Sequence, residues 1–314
     1  MSEIDDTVPS SASDKRIARY TALLTGSGIV CKLLLLVFTA LAADVLGREH
    51  YGQLEYLIEM ALIFGVLIDF GLEQTLTRDL AKWKDRFRHV AEATLGFRFL
   101  TSILAFLSME IILSIIDLAV RERIYVLENT LAGLYCAVIF HLALAKALLR
   151  SREYLPVEAK INLVDRGLLV ALGVLALILG GQVSVLLGIY ILTGCVALAM
   201  AWGTIARRVT ACRPSFDLRL ALDWQKAAIP IGLSAACILL LHRQDTAMVN
   251  IIAGNAETGI YKAAYRPFEG LFLFPQMLAI SSYPIVSALH AGGEQIGRLV
   301  ARFLPGLNLA RYRY

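Results

Sequence analysis

Charge is scarce in this chain. Asp, Glu, Lys and Arg together make up 18% of its 314 residues, where an ordinary soluble domain carries about 25%. Hydrophobic residues reach 58% and mean hydropathy is +0.65, too apolar for a soluble fold of this length. Cysteine is sparse too: Cys31, Cys136, Cys195, Cys212 and Cys237 stand singly, which leaves no metal or redox spacing and makes them small apolar fillers. The apolar runs lack the alternation over about ten residues that a membrane barrel needs. Long polar connections are missing as well. The longest, 73–90 and 206–226, are too short for a soluble domain.

Long apolar runs are what the chain has. A helix crosses the bilayer core with about 20 mostly apolar residues, because it satisfies its own backbone where water is absent. Eight such stretches are present, at 21–43, 53–72, 91–118, 128–149, 160–179, 183–205, 227–250 and 261–289. Pro267, Pro275 and Pro284 predict a kink in the last. The fold class read from this pattern is an all-α integral membrane protein. Lys15, Arg16 and Arg19 ahead of Ala40-Leu41-Ala42 imitate a secretory signal, but the run is too long and Lys32 interrupts it.

Basic residues fall in alternate connections. Arg78, Lys82, Lys84, Arg86 and Arg88 lie in the second, Arg150 and Arg152 in the fourth, and Arg207, Arg208, Arg213 and Arg219 in the sixth. With Lys15, Arg16 and Arg19, they predict a cytoplasmic N-terminus. The excess of +4 overall is thus a topology signal and not a nucleic-acid one. Leu76, Leu80, Trp83 and Phe87, and later Phe216, Leu220 and Trp224, recur at helical spacing. Both segments read as amphipathic helices in the headgroup layer. Arg78, Lys82 and Arg86 would snorkel there, or alternatively collect the pyrophosphate of a lipid-linked substrate.

Charges inside the spans are expensive unless they face protein or water. Lys32 lies near the middle of the first stretch, and Thr25, Lys32 and Thr39, spaced by seven, form one polar stripe. Glu55, Glu59 and Asp69 share a face of the second; Arg98 and Glu110 lie in the third and His141 in the fourth. His242, Arg243 and Asp245 mark the seventh, and Lys262, Arg266, Glu269 and Gln276 the eighth. Each has a structural alternative, snorkelling at a helix end or pairing that only holds helices together.

The chain also repeats. Gly47 to Gly52 reads GREHYG, and 207 positions later Gly254 to Gly259 reads GNAETG, each between apolar stretches of matching length. Six stretches make one unit and the seventh opens a second. The organisation read from this is an N-terminal disordered arm at 1–20, a six-helix lobe at 21–206, an amphipathic cytoplasmic linker at 207–226 and an incomplete second lobe at 227–314. The same shift lays Glu55 on Lys262 and Glu59 on Arg266. Equivalent faces of the two repeats therefore carry opposite charge, and repeats related by an axis along the membrane normal would bring them face to face. Glu55 and Glu59 are expected to approach Lys262 and Arg266 as a switchable, partly wet gate.

Leu46-Gly47-Arg48-Glu49-His50-Tyr51-Gly52, Asp69-Phe70-Gly71-Leu72, Thr77-Arg78-Asp79-Leu80-Ala81, Asp245 before Ala253-Gly254-Asn255, and Gly259-Ile260-Tyr261-Lys262-Ala263-Ala264-Tyr265 follow in that order. In order and spacing, together with Pro284, the chain resembles the polysaccharide and O-antigen flippases of the multidrug/oligosaccharidyl-lipid/polysaccharide exporter superfamily. The resemblance implies alternating-access translocation of an undecaprenyl-pyrophosphate-linked oligosaccharide across a bacterial inner membrane, driven by an ion gradient. It also implies a transporter without cofactor or metal, whose partners are membrane lipids, the lipid-linked substrate and other membrane proteins of polysaccharide assembly. Lys32, Arg98, Arg243 and Arg266 are the expected cations for the pyrophosphate. Glu55, Glu59, Asp69, Asp245, Lys262 and Glu269 are the candidates for ion coupling or gating.

Two rival classes are weighed. A membrane glycosyltransferase or polymerase would need an acidic metal motif or a large aqueous loop, and the chain has neither. A multidrug antiporter of the same superfamily would want a more apolar, aromatic cavity. Members of the family usually have twelve or fourteen spans, so the chain is expected to be an incomplete member. The stub at 295–303, Pro305-Gly306 and Arg311-Tyr312-Arg313-Tyr314 cannot continue into a span.

Overall fold

The structure, a computed structural model, describes residues 11–81, 84–121 and 124–271. Among these the chain is helical, with no strand. The helices are α1 (Ser11–Asp69), α2 (Leu72–Asp79), α3 (Phe87–Ile116), α4 (Val126–Ser151), α5 (Leu155–Ile178), α6 (Val183–Arg208), α7 (Leu218–Ala253) and α8 (Asn255–Leu271). Residue contacts divide the chain into two units, Met1–Ala264 and Tyr265–Tyr314. Lys82 and Trp83, most of the eighth stretch with Pro275, Gln276 and Pro284, and the stub lie outside the described residues.

Six of the described helices are long and apolar enough to cross a membrane, where eight stretches were read. The first of the six is 44 residues, Leu23–Val66, about twice what a bilayer requires. It carries the first and second stretches together and breaks between them at Gly47, whose φ of 69° and ψ of 170° belong to backbone space that is essentially glycine's alone. Stretches three to seven are α3 to α7, and α8 holds the start of the eighth. α1 already begins at Ser11, inside the segment read as a disordered arm, since Ala12, Lys15, Arg16, Ala18 and Arg19 are all good helix formers.

The exterior carries the apolar residues. Ile103, Leu107, Ile111 and Ile115, four apart on α3, are 51–61% exposed, a stripe far beyond what a soluble monomer tolerates. Charged side chains have moved inward: Glu55, Glu59, Arg98, Asp165 and Lys262 are all buried. Two apolar cores hold the helices together. One joins Phe38, Tyr51, Leu57 and Ile68 of α1 to Met109, Tyr135, Leu169 and Leu187. The other joins Leu72, Leu76 and Leu80 to Phe87, Leu148, Ile161 and Ala201.

That second core changes the reading of the 73–90 connection. Its apolar face packs on α4 and α7 instead of being left for lipid, with Leu72, Leu76 and Leu80 fully buried. Arg150 fastens it, donating to Glu73 at 2.7 Å and to Glu158 at 2.7 Å. Arg78 is exposed, and its Nε and Nη2 donate to the two oxygens of Asp79 at 2.8 Å. The sixth connection changes too. Asp217 accepts from the Leu220 amide at 3.1 Å and caps α7, so the expected amphipathic linker helix and the seventh stretch form one continuous helix.

Candidate functional site

The second half of α1, residues 48–69, positions the site. Near its start, a Cβ built on Gly52 would lie 1.8 Å from the Asn255 carbonyl oxygen, and one on Gly259 would lie 1.9 Å from that of Arg48. Under the 207-residue shift Arg48 is equivalent to Asn255 and Gly52 to Gly259. The two repeats therefore touch through the same pair of residues from each side, as two-fold related surfaces do. Only a pair of glycines lets the backbones come this close.

Within three turns of that crossing sits an ion cluster. Lys262 on α8 donates to Glu59 at 2.7 Å and lies 4.0 Å from Glu55. Arg243 on α7 donates to the other oxygen of Glu59 at 2.6 Å. Glu55 and Glu59 are one helical turn apart, so two carboxylates face two cations and the cluster is neutral. The gate expected from the repeat was partly wet; here the Glu59 and Lys262 side chains are only 3% and 2% exposed. A buried pair of this kind, once one partner is lost, costs about 3–5 kcal/mol, well above the roughly 1 kcal/mol of a solvated pair.

The far end of the same segment is clamped as well. Phe70 and Gly71 turn through positive φ, 37° and 83°, and a Cβ on Gly232 of α7 would meet the Phe70 carbonyl oxygen at 2.1 Å. Gln225 donates to that oxygen at 3.1 Å. Asp69 accepts from the Glu73 amide at 3.2 Å and from Arg98 at 2.6 Å. Arg98 also donates to the Phe140 carbonyl at 2.5 Å and is fully buried. The guanidinium of Arg98, read from the sequence as a cavity cation, is engaged with Asp69 and ties α3 to α1 and α4.

The other candidates are placed as follows. Lys32 is exposed on α1, while Thr39 of its stripe is buried with its hydroxyl on the Leu35 and Leu36 carbonyls at 2.9 and 3.0 Å. Asp245 accepts a hydrogen bond from the Tyr261 hydroxyl and one from the Thr246 amide at 2.7 Å. In the second unit, Arg266 pairs with Glu269 at 2.7 Å.

A second polar cluster escaped the sequence reading. Asp165 and Arg166 of α5 lie 3.5 Å apart. Asp165 is buried and Arg166 is 31% exposed. The charges acting on the Tyr135 hydroxyl of α4 are Arg166, Asp165 and Arg243. Lys146 of α4 feels Asp165 and Arg166, and Tyr135 packs edge-on against Tyr190 of α6 with ring centroids 5.3 Å apart. Tyr135, Arg166, Asp165 and Lys146 thus form a polar tract between α4 and α5, within the electrostatic reach of Arg243. Asp165 and Arg166 sit about six and seven residues into their stretch, a depth that could have singled them out.

Buried carboxylate–cation bridges inside a shell of exposed apolar helices define a multi-pass membrane protein with a polar interior. Residues 17–290 match the family described as polysaccharide biosynthesis protein, and the chain belongs to that family. No curated protein and no solved structure matches the chain.

Proposed function

We propose that the protein is a transporter, not an enzyme, that moves an undecaprenyl-pyrophosphate-linked oligosaccharide across the bacterial inner membrane by alternating access, for polysaccharide or O-antigen assembly. A sugar chain with a pyrophosphate cannot cross hydrocarbon, so a protein must offer it a polar, partly cationic path. The observation that carries this reading is Glu59, held between Arg243 of α7 and Lys262 of α8 where the two repeats meet. An ion cluster at a junction between repeats holds one arrangement of them, and protonating the carboxylate weakens that hold. Such a junction is what an alternating-access device coupled to an ion gradient requires.

In this reading Glu55, Glu59 and Lys262 form the gate, with Arg243 shared between gate and substrate path. Arg166 and Lys146 join Lys32 as the cations for the pyrophosphate, in place of Arg98. The N-terminus is cytoplasmic, following the alternation of basic connections.

Complementation of a flippase-deficient strain, with flipping of lipid-linked oligosaccharide in proteoliposomes, tests the proposal. Glu59→Gln and Arg166→Ala should each abolish flipping while membrane insertion persists. Transport of cationic drugs with no flipping of the lipid-linked sugar would replace this reading with the antiporter.

A further inference from the structure

A cavity of about 410 Å³ opens between α3, α4 and α6, apart from the polar tract. Its walls include Phe99, Ile103, Phe106 and Leu134, and no charged side chain lines it. Phe99, Ile103 and Leu134 are exposed, so it communicates with the surrounding hydrocarbon. Its volume lies in the range of small-molecule sites, roughly 300–1,000 Å³.

Two polar side chains reach this apolar wall, Ser102 and His141. His141 is 8% exposed. Its Nδ1 lies 2.8 Å from the Ala137 carbonyl oxygen and 3.5 Å from Ser102 Oγ. A carbonyl only accepts, so the proton of the neutral ring sits on Nδ1 and Nε2 keeps a lone pair. Among the described residues that Nε2 is buried without a hydrogen-bond partner. An acceptor left unsatisfied in an apolar wall is uncommon and costs stability. The Phe99 ring lies against the imidazole with centroids 4.9 Å apart, and it stands on the exposed side of the pocket.

We propose that this cavity binds a membrane-resident alcohol, a lipid whose apolar chain fills the pocket and whose hydroxyl donates to His141 Nε2 once Phe99 turns aside. The walls reject a charged headgroup, which would be stripped of water with no counter-charge. The single acceptor selects one donor, and the exposed flank admits a ligand sideways from the bilayer. The site stands apart from the transport reading and does not depend on it.

Photolabelling of the purified protein in phosphatidylcholine liposomes tests it, with a diazirine-bearing long-chain alcohol and its methyl ether as probes. The alcohol should label α3 and α4 at the cavity. The ether should label about fivefold to tenfold less, the factor one ordinary hydrogen bond supplies. His141→Phe should bring the alcohol down to the ether's level, and His141→Gln, which keeps an acceptor, should preserve the preference. Ile103→Trp, at an exposed wall position that folding tolerates, should remove labelling by both. Equal labelling of the wild type by alcohol and ether, or labelling undiminished by Ile103→Trp, would overturn the proposal even if His141→Phe does not fold.

Discussion

Lys262 Nζ lies 2.7 Å from Glu59 Oε1, across 203 residues of chain. The contact joins α8 to the second half of α1, about two turns past Gly52 and one turn past Gly259, where the repeats come together. Because Arg243 takes the other oxygen of Glu59 at 2.6 Å, a single carboxylate holds two helices of the second repeat.

Removing that carboxylate takes a partner from two cations, leaving Lys262 with Glu55 at 4.0 Å. Glu59→Leu is expected to destabilise the protein by about 3–5 kcal/mol, the cost of leaving a buried charge uncompensated. Lys262→Leu should cost a similar amount. The double variant should cost less than the sum, since the two substitutions remove the two halves of one bridge. Unfolding midpoints in detergent measure this, and strict additivity would mean that the pair does not interact.

The crossing of the repeats depends on two glycines differently from the break in α1. Gly52→Ala places a methyl 1.8 Å from a backbone oxygen, so the helices must separate. Gly47→Ala meets nothing within 4 Å and suffers only from its dihedral angles, a cost of about 1–3 kcal/mol. Gly52→Ala and Gly259→Ala should therefore each lower the unfolding midpoint further than Gly47→Ala. Combining them should add little, because both open the same contact. A Gly52→Ala midpoint equal to wild type would show that the helices are not in backbone contact.

Arg98 is assigned a structural part, and the assignment separates two substitutions. Arg98→Lys keeps the charge but loses the planar fork that serves Asp69 and the Phe140 carbonyl together. It should cost on the order of 3 kcal/mol. Asp69→Asn should destabilise as well, by leaving Arg98 charged and buried. If Arg98→Lys unfolds like the wild type yet loses transport, Arg98 belongs to the substrate path after all.

Cys212, in the connection between α6 and α7, reports on protonation outside the membrane spans. Burial pushes its thiol up to about 11, with Glu92 adding in the same direction. Since only the thiolate attacks, alkylation should climb about tenfold per pH unit between about pH 8 and pH 10. A variant keeping Cys212 alone, treated with iodoacetamide, gives the profile. A plateau already at the ordinary thiol value of about 8.5 would show a solvated thiol. Run in oriented vesicles with an impermeant reagent, the same variant tests the cytoplasmic placement of this connection.

The chain alone determined that the fold is helical and multi-pass, because a run of apolar residues long enough to cross hydrocarbon needs no partner to declare itself; the joining of the first two runs in one helix was not legible. The 207-residue repeat was legible for the same local reason; it matched Glu55 with Lys262 and Glu59 with Arg266, whereas Lys262 lies on Glu59 and Arg266 pairs with Glu269. Partners that depend on packing were not legible. Arg98 and Arg166 are both arginines within apolar stretches, yet one is sealed against Asp69 and the other lies beside Tyr135 in the polar tract. Nothing within a few residues of either distinguishes them. Gly47 and Gly52 look alike in sequence, but one serves a backbone angle and the other a crossing helix. Whether a buried charge anchors or stays available depends on which helices pack beside it and at what depth, and that is fixed only when side chains distant in the chain share one low-dielectric interior.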